Sequence, residues 1–213
     1  MSKKDSNQKA TNSGTRGCLI DAAKRIFARK GFEGATVKDL ADEASANISL
    51  VSYHFGGKEG LYRACLEGAA IEGLERAERV LKTPTSKDEF KLRLKLFAED
   101  VVDVHKRDPE TCKIIHRGME AMDPVTLDLY HSVFIHIFQA LQNFVLEAQK
   151  AEIVRKELDP EMTTTLLFGS LIHFVKMDEM RRLAKLKTLD EASFVASFID
   201  HWISSFTQGI FTS

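Results

Sequence analysis

The sequence predicts an all-α protein in which a three-helix N-terminal domain built on a helix-turn-helix precedes a larger, wholly helical C-terminal domain. Three observations carry that reading. Only four prolines interrupt the 213 residues, and between them apolar residues recur at helical spacing over long runs. The stretch Thr36–Lys58, TVKDLADEASANISLVSYHFGGK, splits into two short amphipathic helices about a corner too tight for any other connection. Towards the C-terminus, two segments carry apolar stripes wider than a single buried face needs. An apolar content of 44% gives core enough for one large domain or two small ones.

The elements follow in order. Residues 1–14 are polar and basic, without an apolar segment, and read as a disordered basic arm rather than a signal peptide. The first helix runs from about Thr15 to Lys30, buries Leu19, Ala23, Ile26 and Phe27, and ends at Gly31. In the second, Leu40, Ala41 and Ala44 share one side, and Thr36 with Asp39 three residues on resembles a capping box. Ser45 and Ala46 make the corner. Asn47 can cap the third helix, whose core face is read as Ile48, Val51 and Phe55, and Gly56–Gly57 stop it. A long helix from Lys58 to about Leu81, carrying Leu61, Leu66, Ala69 and Leu74, connects the two domains. Ser86 to about Arg107 repeats Phe90, Leu94, Phe97, Val101 and Val104 until Asp108–Pro109 breaks it. Pro109–Met122 is a short helix, and Asp123–Pro124 restarts the chain into a single long helix ending at Lys150. The uncharged run from Leu129 to Leu146 in that helix is long enough to raise a membrane question. Ser132, His136, Gln139 and Asn143 line one side of it, however, as expected of an amphipathic helix in a soluble protein. After a polar connector, Asp159–Pro160 open a helix that is apolar nearly all round from Leu166 to Val175. The last helix, about Asp190 to Phe211, pairs Phe194 with Val195, Phe198 with Ile199, and Trp202 with Ile203, followed by Phe206.

Net charge is −1, yet residues 1–35 hold eight basic side chains against three acidic ones, a local +5 that leaves −6 for the remainder. Positive charge is thus concentrated beside the helix-turn-helix, as contact with phosphates requires. The outward surface of the third helix, Ser49, Ser52, Tyr53 and His54, is small, hydrogen-bonding and uncharged, which suits a major groove. Lys58 opens the following helix, where free backbone N–H groups already favour a phosphate. Three cysteines, Cys18, Cys65 and Cys112, have no paired spacing, and a reducing cytoplasm is the simplest setting for them.

The order Leu40-Ala41, a corner, then Tyr53-His54-Phe55-Gly56-Gly57-Lys58-Glu59-Gly60-Leu61-Tyr62 resembles the DNA-binding domain of the TetR family of transcriptional repressors, and so does the pattern of Leu19, Ile20, Ala22, Ala23, Ile26, Phe27, Gly31 and Phe32 in the first helix. Two positions depart from the family. Ser45 stands where a turn glycine is usual, which places a non-glycine residue at a corner that calls for positive φ. Asn47-Ile48 stands where many members have Ser-Lys, which removes a common phosphate-contacting charge. The resemblance spans roughly residues 15 to 62. It implies a homodimeric, DNA-binding transcriptional repressor, divided into the arm over 1–14, a DNA-binding domain over 15–62 and an effector-binding and dimerisation domain over 63–213. The DNA-contacting residues expected are Thr36, Lys38, Asn47, Ile48, Ser49, Ser52, Tyr53, His54 and Lys58, on a palindromic operator in double-stranded DNA.

Nothing points to an enzyme: the chain has no glycine-rich phosphate loop, no GxSxG, no HExxH, and no strand to carry a nucleophile. No cofactor motif is present. Cys112 and His116, four residues apart with His105 on the preceding helix, have ligand spacing, but Cys112 reads equally as a small buried residue, and no metal site is assigned. His173 is either a satisfied core histidine or a polar group offered to a ligand. His105, His116, Met119, Tyr130, Phe134, Phe138, Phe168, His173 and Met177 could be plain core. They could equally line the apolar cavity with a few polar groups that the family resemblance implies for a small, largely apolar effector. Leu171, Val175, Phe194, Phe198, Ile199, Trp202 and Phe206 are expected at the dimer interface, in a four-helix arrangement with their copies. The competing reading is a helix-turn-helix adaptor whose C-terminal domain binds a protein partner. No membrane partner is expected.

Overall fold

The computed structural model describes the backbone of residues 3–211 and the side chains from Gly14 to Phe211. The basic arm expected over residues 1–14 falls, Gly14 apart, outside the residues whose side chains are described. Among the described residues the architecture is all-α: α1 (Lys3–Gly34), α2 (Val37–Glu43), α3 (Ile48–Phe55), α4 (Lys58–Val80), α5 (Lys87–Arg107), α6 (Pro109–Glu120), α7 (Pro124–Leu129), a π-helical turn (Tyr130–Phe134), α8 (Ile135–Lys150), α9 (Pro160–Lys176), α10 (Asp178–Leu183) and α11 (Ala192–Ile210). One antiparallel bridge, Val154 to Phe211, is the only extended pairing described.

The helices gather into two compact units, residues 1–71 with 109–132 and residues 72–108 with 133–213. The division read from the sequence, at 62/63, does not coincide with this packing, because α6 and α7 fold onto the first unit. Leu19, Ala23, Ile26 and Phe27 of α1 are buried there with Leu40, Val51, Leu61, Tyr62 and Leu66, and with Ile114, Val125 and Leu129 from α6 and α7. Tyr62 meets Phe27 edge-on at 4.9 Å and Phe32 at the same distance. Two polar attachments explain why α6 and α7 stay with this unit. Arg117 of α6 donates from Nη1 to the Arg29 carbonyl at 3.2 Å. Its guanidinium lies against Gly31, whose φ of 73° breaks the helical course of α1. On the other side, Tyr62 Oη donates to Asp123 Oδ2 at 3.0 Å, and Thr126 Oγ1 donates to the same oxygen at 2.6 Å. Gly118 lets this corner close, since a Cβ there would run into Asp123, Thr126 and the Tyr62 hydroxyl. Burial, with the Asp123 carboxylate close by, pushes the Tyr62 phenol well above its ordinary range.

In the second unit Phe90, Leu94 and Phe97 of α5, Leu141 and Phe144 of α8, Leu167 and Leu171 of α9, and Ile199, Trp202 and Ile203 of α11 make one core. Phe90 stacks on Phe144 at 4.7 Å. Ser132, His136, Gln139 and Asn143 are all exposed, while Leu141, Phe144 and Val145 are buried, as the polar stripe predicts. Among the described residues no helix is long and apolar enough to cross a membrane.

Two local features differ from the sequence reading. The single helix expected from Pro124 to Lys150 is interrupted by the π-helical turn, where Ser132 Oγ donates to the Asp128 carbonyl at 2.9 Å and so competes with the backbone ladder. The short α10 was not anticipated. It is fixed by ion pairs from Arg182 to Asp178 and Asp190 at 3.0 and 2.7 Å, and by the Leu189 N–H donating to Asp178 Oδ1. Cys18 is exposed on α1, whereas Cys65 and Cys112 are buried, and none is in a disulfide.

Candidate nucleic-acid interface

The corner between α2 and α3 is built by short-range hydrogen bonds. Thr36 caps α2 through its hydroxyl, which accepts from the Asp39 N–H at 3.0 Å, and the Asp39 carboxylate accepts in return from the Thr36 N–H and hydroxyl at 3.0 and 2.8 Å. This is the capping box expected, with Asp in the acidic position. Lys30 Nζ lies 2.8 Å from Asp39, and this bond, followed by the two from Thr36, holds the carboxyl far below the usual carboxylate range. Ser45 takes φ 50°, the left-handed conformation that the missing turn glycine implied. Asn47 Oδ1 then accepts from the Ser49 N–H at 2.9 Å and the Ser49 hydroxyl at 2.8 Å, capping α3, and Gly56 closes it with φ 73°.

With α3 pinned at both ends, Ile48, Ser49, Ser52 and Tyr53 are exposed. Tyr53 is 73% exposed, so its ring does not lie on α1 and the whole side chain is presented outwards. Ile48 is a correction: it is 51% exposed and belongs to this outward face, leaving Val51 to anchor the buried one. Its position as the first residue of the helix puts it beyond the reach of the core. Thr36 and Lys38 are exposed at the start of α2. His54 is half-buried, its ring flanked by Tyr53 at 5.0 Å and Phe55 at 6.0 Å, and its Nε2 is buried without a hydrogen-bond partner.

Lys58 behaves differently from the open phosphate contact its sequence position suggested. Its ammonium donates to the carbonyls of Phe32 at 3.0 Å and Ala35 at 3.1 Å, and lies 4.3 Å from the centre of the Phe32 ring. It therefore ties the end of α1 to the start of α4. Part of the basic surplus of α1 is likewise structural: Arg25 and Arg29 pair with Glu43 at 2.8 and 3.6 Å. Sequence reasoning missed these roles because the acceptors lie far along the chain.

The residues expected to line an effector site divide between the units. His116, Met119 and Tyr130 belong to the first and are half-buried there. In the second, Phe138 and Phe168 meet at 6.3 Å, and Phe97, which the sequence reading left in the core, joins them at 6.4 Å from Phe168. His105 is partly buried near the end of α5, its Nδ1–H donating to the Val101 carbonyl at 2.7 Å, and desolvation lowers its pKa below the ordinary histidine value. Phe134 closes the π-helical turn and Met177 ends α9, both half-buried. His173 is exposed, so it is neither a core histidine nor a group turned into the interior of its own unit. Among the described residues no group of three His, Cys, Asp or Glu side chains is arranged to hold a metal ion.

The stripe expected at a dimer interface is largely occupied within the protomer. Leu171, Val175, Ile199 and Trp202 are buried core residues, and Phe194, Phe198 and Phe206 pack against that core. Phe198 stacks on Phe174 at 3.4 Å, and Trp202 Nε1 donates to Ser170 Oγ at 2.9 Å. The stripe is wide because α11 buries one flank against α5 and another against α9.

A pair of short capped helices at a left-handed corner, the second presenting small hydrogen-bonding side chains, defines a helix-turn-helix DNA-binding regulator. Residues 19–65 match the family described as bacterial regulatory proteins, tetR family. YttP of Bacillus subtilis, a probable HTH-type transcriptional regulator, is 35% identical over 72 residues, which are 34% of this chain and 33% of that protein. The HTH-type transcriptional regulator TtgR of Pseudomonas putida is 28% identical over 173 residues, 73% of this chain and 75% of the relative. The solved fatty acid degradation regulator FadR from Bacillus halodurans superposes with a TM-score of 0.73 at 15% identity, covering 92% of this chain and 95% of its own. SmeT, solved with triclosan, gives 0.70 at 15% identity, covering 94% and 93%. At such identities these two structures speak for the fold. Residues 19–65 thus form a TetR-family helix-turn-helix DNA-binding module, and the similarity to TtgR continues beyond it at 28% identity.

Proposed function

We propose that this protein is a homodimeric repressor that binds a palindromic operator in double-stranded DNA and changes its affinity for it when a small, largely apolar effector occupies the second unit. The observation that carries the reading is the outward face of α3, where Ser49, Ser52 and Tyr53 are exposed on a helix capped at both ends. One such helix reads too few bases alone, and paired reading heads are spaced by roughly 34 Å along the duplex. Support for pairing lies on the outer sides of α9 and α11, where Gly169, Ser170 and His173 and then Ala196, Ser197 and Ser204 are exposed. Small residues there allow two helix pairs to approach closely.

The aromatic group of Phe97, Phe138 and Phe168, and the triclosan bound by the neighbour SmeT, support an apolar effector. Helix α4 contributes to both units, so a ligand that tilts it alters the spacing of the two reading heads. Coupling of this kind is worth about 1 to 3 kcal/mol, and operator DNA then weakens the ligand by the same factor. The reading sets the protein in the cytoplasm. Selection of bound duplexes from a random pool tests it: a two-fold symmetric consensus with half-sites a whole number of turns apart is expected, and enrichment of asymmetric or unrelated sequences would refute it.

A further inference from the structure

Among the described residues, the second unit buries one hydroxyl without a hydrogen-bond partner. Thr164, on α9, is 0% exposed, and its Oγ1 has no hydrogen-bond partner. Its neighbours in sequence and core are matched: Thr163 Oγ1 donates to the Asp159 carbonyl at 2.8 Å, and Gln149 Nε2 donates to the carbonyls of Arg155 and Leu158 at 2.9 and 2.8 Å. Leaving a buried hydroxyl unpaired is unfavourable, so a protein that keeps one has a use for it or tolerates a defect.

Its position favours a use. Thr164 is one turn before Phe168 on α9, a spacing that puts the two side chains on the same face of the helix. Phe168 in turn meets Phe97 and Phe138, and both Phe138 and Phe168 are only half-buried in the protomer. The described buried residues of this unit include threonines and a glutamine but no Lys, Arg, Asp or Glu. An anion placed among them would be desolvated without a counter-charge.

On the basis of the effector reading above, we infer that the effector is an uncharged aromatic molecule with one hydroxyl or carbonyl group, which exchanges a hydrogen bond with Thr164 while its ring lies against Phe168, Phe138 and Phe97. Carboxylates and phosphate esters are disfavoured there, because no buried counter-charge is described in this unit.

Three probes that share a ring and differ in one group test it by equilibrium dialysis against the full-length protein: 1-naphthol, naphthalene and 1-naphthoate. Naphthol is expected to bind about five-fold tighter than naphthalene, the size of one neutral hydrogen bond, and naphthoate no better than naphthalene. Thr164→Val, nearly the same shape without the hydroxyl, should erase the naphthol advantage, and Thr164→Ser should keep it. Should the valine variant fail to fold by circular dichroism, Thr164→Ala replaces it. A preference for naphthoate, a naphthol advantage that survives Thr164→Val, or no binding of any probe to the wild type would each overturn the inference. Operator affinity measured with and without naphthol separates the two layers. Thr164-dependent binding with unchanged operator affinity keeps the site and removes its role as effector site, whereas release from the operator that does not depend on Thr164 removes the site and keeps the regulator.

Discussion

The ammonium of Lys58 sits where the last carbonyls of α1 would otherwise face water, and both Phe32 and Ala35 accept from it. Lys58→Ala removes two charge-assisted bonds and a cation–ring contact, and should lower stability by about 1 to 3 kcal/mol. Because the charge is turned inwards, the salt dependence of DNA binding should stay the same. Lys38→Ala should do the opposite: its side chain is exposed at the start of α2, so stability should hold while the salt slope falls by about one unit. Thermal melting and titrations at several ionic strengths separate the two, and a reduced slope for Lys58→Ala would return that residue to the phosphate surface. At His105 the effect to expect is one of pH. Desolvation lowers its folded pKa below the unfolded value near 6.5, so between the two values the unfolded chain binds more protons and stability rises with pH. The contribution is complete above about pH 7 and is lost as the pH falls through the unfolded and then the folded value. Urea midpoints across pH 5 to 8, of the order used for such titrations, should flatten in His105→Gln; an unchanged slope would assign the effect elsewhere.

At the scale of the elements, the corner between α2 and α3 is held by caps on one side and strained on the other. Thr36→Ala removes the cap of α2 and should cost about 1 kcal/mol. Ser45→Gly should be stabilising, by up to about 1 kcal/mol, because the left-handed conformation of Ser45 is unfavourable for an L side chain and glycine gives back part of the gain through its freer unfolded chain. A lower melting temperature for Ser45→Gly would show that the serine hydroxyl has a role in the corner. These were the elements the sequence disclosed most fully. A Thr-x-x-Asp cap, an Asn before a helix and a Gly-Gly stop act over three or four residues, so the chain order contains both partners. Lys58 and Tyr62 were legible as identities and not as contacts, since their partners lie 23, 26, 61 and 64 residues away. The apolar width of α11 was visible as well, but apolarity alone does not say whether a stripe is covered by its own chain or by a copy. Asp123–Pro124 was legible as a helix start, whereas the bond from the Tyr62 hydroxyl to Asp123 required the fold.

Across the whole molecule, the proposed pairing of two copies uses the exposed small-residue side of α9 and α11. A Cβ placed on Gly169 meets nothing within 4 Å in the protomer. Gly169→Leu should therefore leave the fold intact, or raise helix stability slightly, and still block the close approach of a second copy. Sedimentation should show a folded monomer with weakened operator binding, and a fully dimeric Gly169→Leu protein would place the interface elsewhere. Trp202→Glu is a poorer probe of assembly, since Trp202 is 4% exposed and a charge there should unfold the protomer itself.

The contrast among the three cysteines has an experimental consequence. Cys18 is open to solvent on α1, on the same unit as the reading helix, while Cys65 and Cys112 are shielded. A thiol-reactive nitroxide under native conditions should thus attach once per chain without any engineering, and in a two-fold assembly the pair forms a single spectroscopic ruler between the heads. Pulsed dipolar spectra recorded free, on operator DNA and with a ligand should then report three separations from the unaltered protein. A distribution that narrows on DNA and shifts with the ligand would make the spacing of the heads a measured quantity.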